Sequence, residues 1–441
     1  MVKTKYPAFL FDDSHYGGGL MPTVPAKYSS ARGILKELVI CVFIVGVLLT
    51  MDRCLENLYF YFLFDTGKRI LDLFMALYLH SHRAFTVIIP LVFVLWLFRK
   101  RFQVRLGVLM PILIVYLLYL GTSFLAEKKF PPRWINMTLY PMLMILFVTI
   151  VCSTERSAKR FFRVGCNVYI MLMLLNTVFT LFPQLYHLFT DWEPDYFISA
   201  DNLTGFPLLF GALLALLDRY FNKNCVRCGI YLVLFFLNQA LIHCSSAMIA
   251  GAILAVYLLF PRAKALAERK PLSLYVFLSL LLCGFLCFGA WLYFHTAIGF
   301  RLMDHMLDVL KSLYIRFIIW NGVLAIVARK PVLGYGLGDQ AEFYLRPNTS
   351  LTYNAHNAYL QTMYEGGLIT TGSAVAVLIF TSGILKKSSD RTLAGLFTAV
   401  IFAELIMMQS SITSWFTWYP VFLIAQMGAL ICTLPRGGET S

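Results

Sequence analysis

The stretch LSLYVFLSLLLCGFLCFGAWLYF, Leu272 to Phe294, runs for 23 residues without a charged side chain. About 20 predominantly apolar residues suffice to cross the hydrocarbon core of a bilayer as a helix, so the stretch predicts a membrane span. The residues after it are different in kind. Residues 295–355 form the longest polar interruption of the chain, and Ala355-His356-Asn357-Ala358-Tyr359-Leu360 then opens another hydrophobic run.

Comparable apolar runs lie at 35–51, 84–98, 106–125, 135–152, 164–182, 204–217, 228–243 and 246–260 before this stretch, and at 357–383, 393–410 and 416–434 after it. Together they predict an all-α polytopic membrane protein of about twelve transmembrane helices, both termini inside. Composition agrees: of 441 residues, 59% are hydrophobic and 14% charged, against roughly 25% charged in a soluble domain. The first run, Ile34 to Thr50, lacks a small-residue cleavage site and reads as a retained span. The expected organisation is a cytoplasmic segment over 1–33, nine transmembrane helices within 34–294, a large extracytoplasmic loop over 295–355, three helices within 356–434 and a cytoplasmic tail over 435–441.

The formal net charge of +14 is not a nucleic-acid signal, because of where it sits. Lys and Arg gather at Lys3 to Lys36, Arg99 to Arg105, Arg156 to Arg163, Arg219 to Arg227, Arg262 to Lys270 and Lys386 to Arg391, in each case flanking apolar runs. Short cytoplasmic loops carry this bias, and such loops are also drawn to anionic membrane lipids. On the opposite side, residues 183–203 hold Asp191, Trp192, Glu193, Asp195, Tyr196 and Asp201 with no Lys or Arg. Carboxylates beside aromatic rings suit hydroxyl-rich ligands such as sugars, although an interfacial aromatic anchor reads the same way. Residues 54–83 mix apolar side chains with Asp65, Lys68, Arg69 and Asp72 and read as an external or interfacial amphipathic segment.

Several function classes are disfavoured. The sequence has no P-loop, no dinucleotide fingerprint, no disulfide framework and no carboxylate–histidine metal cluster. Cys225-Val226-Arg227-Cys228 is a lone C-x-x-C without the second pair of a zinc site. Few ionisable residues fall within the spans, Glu404 being the clearest, which argues against a proton-coupled transporter.

Chemistry is therefore expected in the long loop and at its exit. The loop begins with His295, Arg301, Asp304, His305, Asp308 and Lys311, continues through Arg316-Phe-Ile-Ile-Trp320 and a short apolar helix to Ala328, and then reaches Arg329-Lys330-Pro331. The glycines of Gly334-Tyr335-Gly336-Leu337-Gly338 permit left-handed backbone and bring amide groups close to a ligand. Tyr353, Asn354, His356 and Asn357 close it.

This order of elements resembles the O-antigen ligase and O-antigen polymerase superfamily of bacterial envelope glycosyltransferases. One motif is Arg316 with Trp320 four residues on, then Pro331 and Gly334-x-Gly336; the other is His356-Asn357, nine further residues, and Gly367-Leu368-Ile369-Thr370. The resemblance covers about 200–385 specifically, and the rest only by topology. It departs at Cys244-Ser245-Ser246-Ala247, where many relatives carry a Ser-Arg pair; His243 or Arg301 would have to supply that cation, or the donor is held differently.

The resemblance implies a metal-independent membrane glycosyltransferase without a cofactor, multi-pass in a bacterial cytoplasmic membrane. It would transfer glycan from a polyprenyl-pyrophosphate-linked oligosaccharide to an acceptor sugar hydroxyl, alongside other polysaccharide-assembly proteins. The departing pyrophosphate needs a permanent cation with a fork of donors, for which Arg316 is the first candidate and Arg301 the second. The acceptor hydroxyl needs a base that is free near neutral pH, a role that falls to His356. Tyr335, Tyr353, Asn357, Gly334 and Gly336 complete the expected substrate-binding set, the tyrosines stacking on sugars. The absent Ser-Arg pair favours a polymerase of repeat units over a ligase of finished chains. A transporter of lipid-linked glycan and a non-catalytic assembly scaffold are the readings from other classes.

Overall fold

The computed structural model describes residues 37, 88, 90–100, 105–127, 138, 140–182, 184, 205–242, 245–301, 311–337, 354–410 and 418–434. The chain divides into Met1–Val39 and Ile40–Ser441, and the elements below all belong to the second unit. Every regular element among the described residues is a helix. In chain order they are α1 (Pro90–Arg99), α2 (Leu109–Glu127), α3 (Tyr140–Val151), α4 (Glu155–Leu181), α5 (Gly205–Asn222), α6 (Cys225–Ile242), α7 (Ser245–Leu259), α8 (Pro261–Arg269), α9 (Leu272–His295), α10 (Lys311–Val327), α11 (Ala358–Lys386), α12 (Arg391–Met407) and α13 (Tyr419–Ile431).

Among the described residues, every apolar run expected from 84–98 onward contains a helix. Four helices among the described residues are long and apolar enough to cross a membrane alone: α2, α4, α9 and α11. A fifth crossing results if α7 and α8, bent by 97° at Phe260, count as one span. The count of twelve is not reached by this measure, because several expected spans are shorter as helices; α3 has 12 residues and α13 has 13. The run at 35–51, residue 37 apart, and the segment 54–83 lie outside the described residues.

Two of the basic clusters read as loops are helical instead. Arg156 to Arg163 forms the opening of α4, capped by Thr154 and carrying a Glu155–Lys159 ion pair of 2.6 Å one turn apart. Arg262 to Arg269 belongs to α8, which starts at Pro261; a proline at the first helical position costs no hydrogen bond. Charge spacing at i and i+4 favours helix as readily as loop.

The helices are knit by apolar contact and by a few polar cross-links. On α4 and α6, Asn176 donates to Asn238 at 2.6 Å; Gln426 of α13 donates to Thr149 of α3 at 2.7 Å. At the basic end of the bundle, Arg227 donates to Asp218 through Nε at 2.8 Å and Nη2 at 3.1 Å. Helix α11 packs against α2, α9, α10 and α13, and α10 lies against both α9 and α11.

Helix α11 is not continuous. Gly367 adopts φ 63°, ψ −163°, and the helical hydrogen bonds that Leu368 and Ile369 would donate to Tyr364 and Glu365 are missing. The segment 331–336 replaces them from both sides. Leu368 and Ile369 donate instead to the carbonyls of Pro331 (2.8 Å) and Val332 (3.4 Å), while Tyr335 and Gly336 donate to the freed carbonyls of Tyr364 (2.7 Å) and Glu365 (2.8 Å). Irregular backbone within a membrane protein persists where protein groups satisfy it, and here the replacement is complete.

Candidate active site

His356 stands immediately before α11, in a left-handed backbone conformation with φ 45°. Such a conformation is uncommon for a residue with a side chain and costs about 1–3 kcal/mol unless its neighbours impose it. The neighbours do. The His356 amide donates to Asn354 Oδ1 at 2.9 Å. On the near side, Ala355 donates its amide to Gln361 Oε1 at 2.9 Å, and its carbonyl accepts from the Trp320 indole at 3.0 Å. On the far side, Asn357 caps the helix: its Oδ1 accepts from the amides of Tyr359 (3.0 Å) and Leu360 (3.1 Å), its Nδ2 donates to the Gln409 carbonyl at 3.1 Å, and the amide of Ala358 donates to Met408.

Asn357, expected in the substrate-binding set, has a structural role in the fold. It belongs to the helix start, being fully buried with both ends of its amide engaged. An Asn directly before an apolar helical run is a favoured N-cap, so the sequence carried that signal.

Arg316 lies on α10, one turn before Trp320. Trp320 is buried at 1% exposure, with its N–H spent on Ala355. The pairing of Trp320 with Ala355 brings that turn of α10 to the mouth of α11, and the half-buried Arg316 lies close enough to act on His356 electrostatically. Burial and, secondarily, the Arg316 charge hold the imidazole below its ordinary pKa of about 6.5. Both causes favour the neutral ring, the form that accepts a proton. The two motifs, forty residues apart by number, thus meet at one place.

Arg301 is exposed on the helical turn that follows α9. Its neighbour Phe300 stacks on Tyr293 at 5.3 Å, and Tyr293 meets Tyr314 of α10 edge-on at 6.1 Å, so Arg301 and Arg316 leave elements that share one aromatic cluster.

The glycine turn departs from expectation. Gly334 and Gly336 have φ of 69° and 89°, as their spacing implied. Their amides are engaged within the protein: Gly334 donates to Lys330 at 3.1 Å, Gly336 to Glu365, and the next residue, Leu337, to Ser123 Oγ at 3.1 Å. The turn is a splint across the α11 break, and glycine is required there because a Cβ on Gly334 would lie 2.7 Å from the Glu365 carbonyl. Tyr335 is likewise occupied, its ring stacked on Tyr364 at 5.3 Å with Lys330 Nζ 4.8 Å from its centroid. Tyr353, Asp304, His305 and Asp308 lie outside the described residues, as does the acidic aromatic segment from Asp191 to Asp201.

Sequence reasoning passed over three buried residues below the histidine. Gln361 donates from Nε2 to Glu365 Oε1 at 2.7 Å, and the Tyr119 hydroxyl of α2 donates to the other Glu365 oxygen. Glu365 is an ionisable residue inside a long apolar helix, which is itself a functional signal. Ala247, where the resemblance leads one to look for arginine, is buried in the first turn of α7 and its carbonyl accepts from Gln239 at 2.8 Å.

A comparison with curated proteins finds no match. Residues 230–375, which hold both motifs, Arg316, His356 and the splinted break, match the family model described as O-antigen ligase.

Proposed function

We propose that the protein transfers glycan from a polyprenyl-pyrophosphate carrier to an acceptor sugar hydroxyl at the outer mouth of α11. The observation that carries the reading is the convergence of His356 and Arg316, a base held neutral beside a permanent cation. His356 takes the proton from the acceptor hydroxyl as its oxygen bonds to the anomeric carbon of the donor glycan. The bond from that carbon to the pyrophosphate oxygen breaks, and the negative charge left on the polyprenyl pyrophosphate falls to Arg316, with Arg301 as the second cation. Neither step requires a metal. The loop residue Tyr353 is proposed to contact the glycan.

The wider setting belongs to the same reading. The chain crosses a bacterial cytoplasmic membrane about twelve times, with 295–355 outside, and works beside other polysaccharide-assembly proteins. Polymerisation of carrier-linked repeats is the preferred activity, because the chain has Ala247 where the resemblance implies an arginine. Ligation of finished chains to another acceptor is the second reading, favoured by the description of the matching family.

The test is the reconstituted protein with defined polyprenyl-pyrophosphate-linked repeats, products being resolved by size, with and without a chelator. Long products that survive chelation and vanish with His356→Ala support the reading. Undiminished polymer from His356→Ala sinks it. Product that appears only when a distinct acceptor is added decides for the ligase.

A further inference from the structure

We infer that Gln361 is a positioning residue for His356, acting through the backbone of Ala355 within the buried chain Tyr119–Glu365–Gln361–Ala355. The inference rests on the reading of His356 as the base.

The backbone at His356 is left-handed and has to be held from outside. Two successive peptide planes flank the Cα of Ala355, and both are pinned by side chains: the first through the Ala355 amide by Gln361, the second through the Ala355 carbonyl by Trp320 and through the His356 amide by Asn354. Trp320 belongs to the helix that carries Arg316. Gln361 belongs to the first turn of α11 and is 7% exposed.

The side chain at 361 must accept at one end and donate at the other. Its oxygen faces a backbone N–H, and its nitrogen faces a carboxylate oxygen of Glu365. An amide of this length meets both demands, and Glu365 fixes which way the amide points. Tyr119 fixes Glu365 in turn. The chain also reads the break in α11, since the Glu365 carbonyl accepts from Gly336. A carboxylate, an amide and a phenol placed together inside a membrane bundle cost more than apolar packing would, and such groups are kept where they act.

The experiment compares initial rates of the reconstituted full chain with polyprenyl-pyrophosphate-linked repeats. Gln361→Met keeps the volume and removes both hydrogen bonds. The expected result is a kcat lower by about ten- to a hundredfold, as for a misplaced catalytic group, with the KM for the lipid-linked donor unchanged. In the His356→Ala background the same substitution should have no further effect, because there is no imidazole left to place. Exchanging the pair, Gln361→Glu with Glu365→Gln, leaves an acceptor for Ala355, a donor between the two positions and an acceptor for Tyr119; it should recover most of the lost kcat.

A Gln361→Met defect that multiplies with that of His356→Ala, or one that appears in KM alone, overturns the inference. If Gln361→Met is not recovered as a folded, monodisperse protein, the exchange variant decides: near-parental kcat supports the inference, and a depressed kcat at the parental thermal midpoint overturns it. Failure of the general-base reading looks different, because His356→Ala would then keep the parental rate whatever stands at 361.

Discussion

The carbonyl oxygen of Val332 occupies the space in which a Cβ on Gly367 would begin. The crowding partner is backbone, which has no rotamer to escape into, and Gly367 has φ 63° besides. Gly367→Ala should therefore lower stability by at least about 1–3 kcal/mol from backbone strain alone, visible as a fall in the thermal midpoint of the detergent-solubilised protein. Transfer activity should fall with it, because the splint and the histidine share α11. A Gly367→Ala protein with parental midpoint and rate would mean that 331–336 does not dock as described.

The acid limb of the pH–rate profile should lie below the ordinary histidine range, centred near pH ~6.5. The sign comes from the base role: protonation removes the acceptor, so the rate falls as pH drops through the pKa of His356, which burial and Arg316 both lower. Arg316→Gln removes a charge that disfavours the imidazolium. In the residual activity of that variant the limb should move to higher pH, stopping short of the ordinary value because burial, the larger cause, remains. A limb that stays in place would separate the two residues.

Asn357→Ala should cost about 0.5–2 kcal/mol as a lost N-cap, with the donor KM unchanged. Asn357→Asp, which keeps the accepting oxygen for Tyr359 and Leu360, should restore much of that loss. A several-fold rise in KM at parental stability would return Asn357 to the substrate-contacting set.

Arg227→Met removes the partner of a fully buried carboxylate, and stranding such a charge costs about 3–5 kcal/mol. The double variant Asp218→Asn with Arg227→Met should be more stable than Arg227→Met alone, since no charge is then left buried. Equal midpoints for the two would show that Asp218 is carried by Asn222, which donates to it at 2.6 Å.

Helix positions were legible because a membrane demands long uninterrupted apolar runs, and Leu272 to Phe294 is one. His356 and Arg316 were legible as candidates because each is a polar exception at the edge of such a run. What the glycine turn binds was not: its hydrogen bonds connect Tyr335 with Tyr364 and Gly336 with Glu365 across the loop, and no local pattern encodes which distant carbonyls have lost their donors. Glycine spacing announces unusual backbone without saying whether a ligand or another strand of the chain requires it. Gln361 and Glu365 stand four residues apart on one helical face, a spacing that allows a pair. Glu365 is as clear an ionisable exception within a span as Glu404, and that signal was missed. Its partners Tyr119 and Ala355 come from elsewhere in the fold, and nothing local names them.

The break in α11 also governs how the protein is put together during synthesis. A segment leaving the translocation machinery for lipid has to arrive with its backbone satisfied, and α11 in its broken form cannot do so alone, because the carbonyls of Tyr364 and Glu365 take their donors from Tyr335 and Gly336. The donors they use, Tyr335 and Gly336, are made earlier in the chain, before α11 emerges. Insertion of this helix is thereby coupled to docking of the loop that precedes it. A nascent chain unable to dock that loop would be held back as an insertion intermediate, so membrane quality control would meet a defective site before any substrate did.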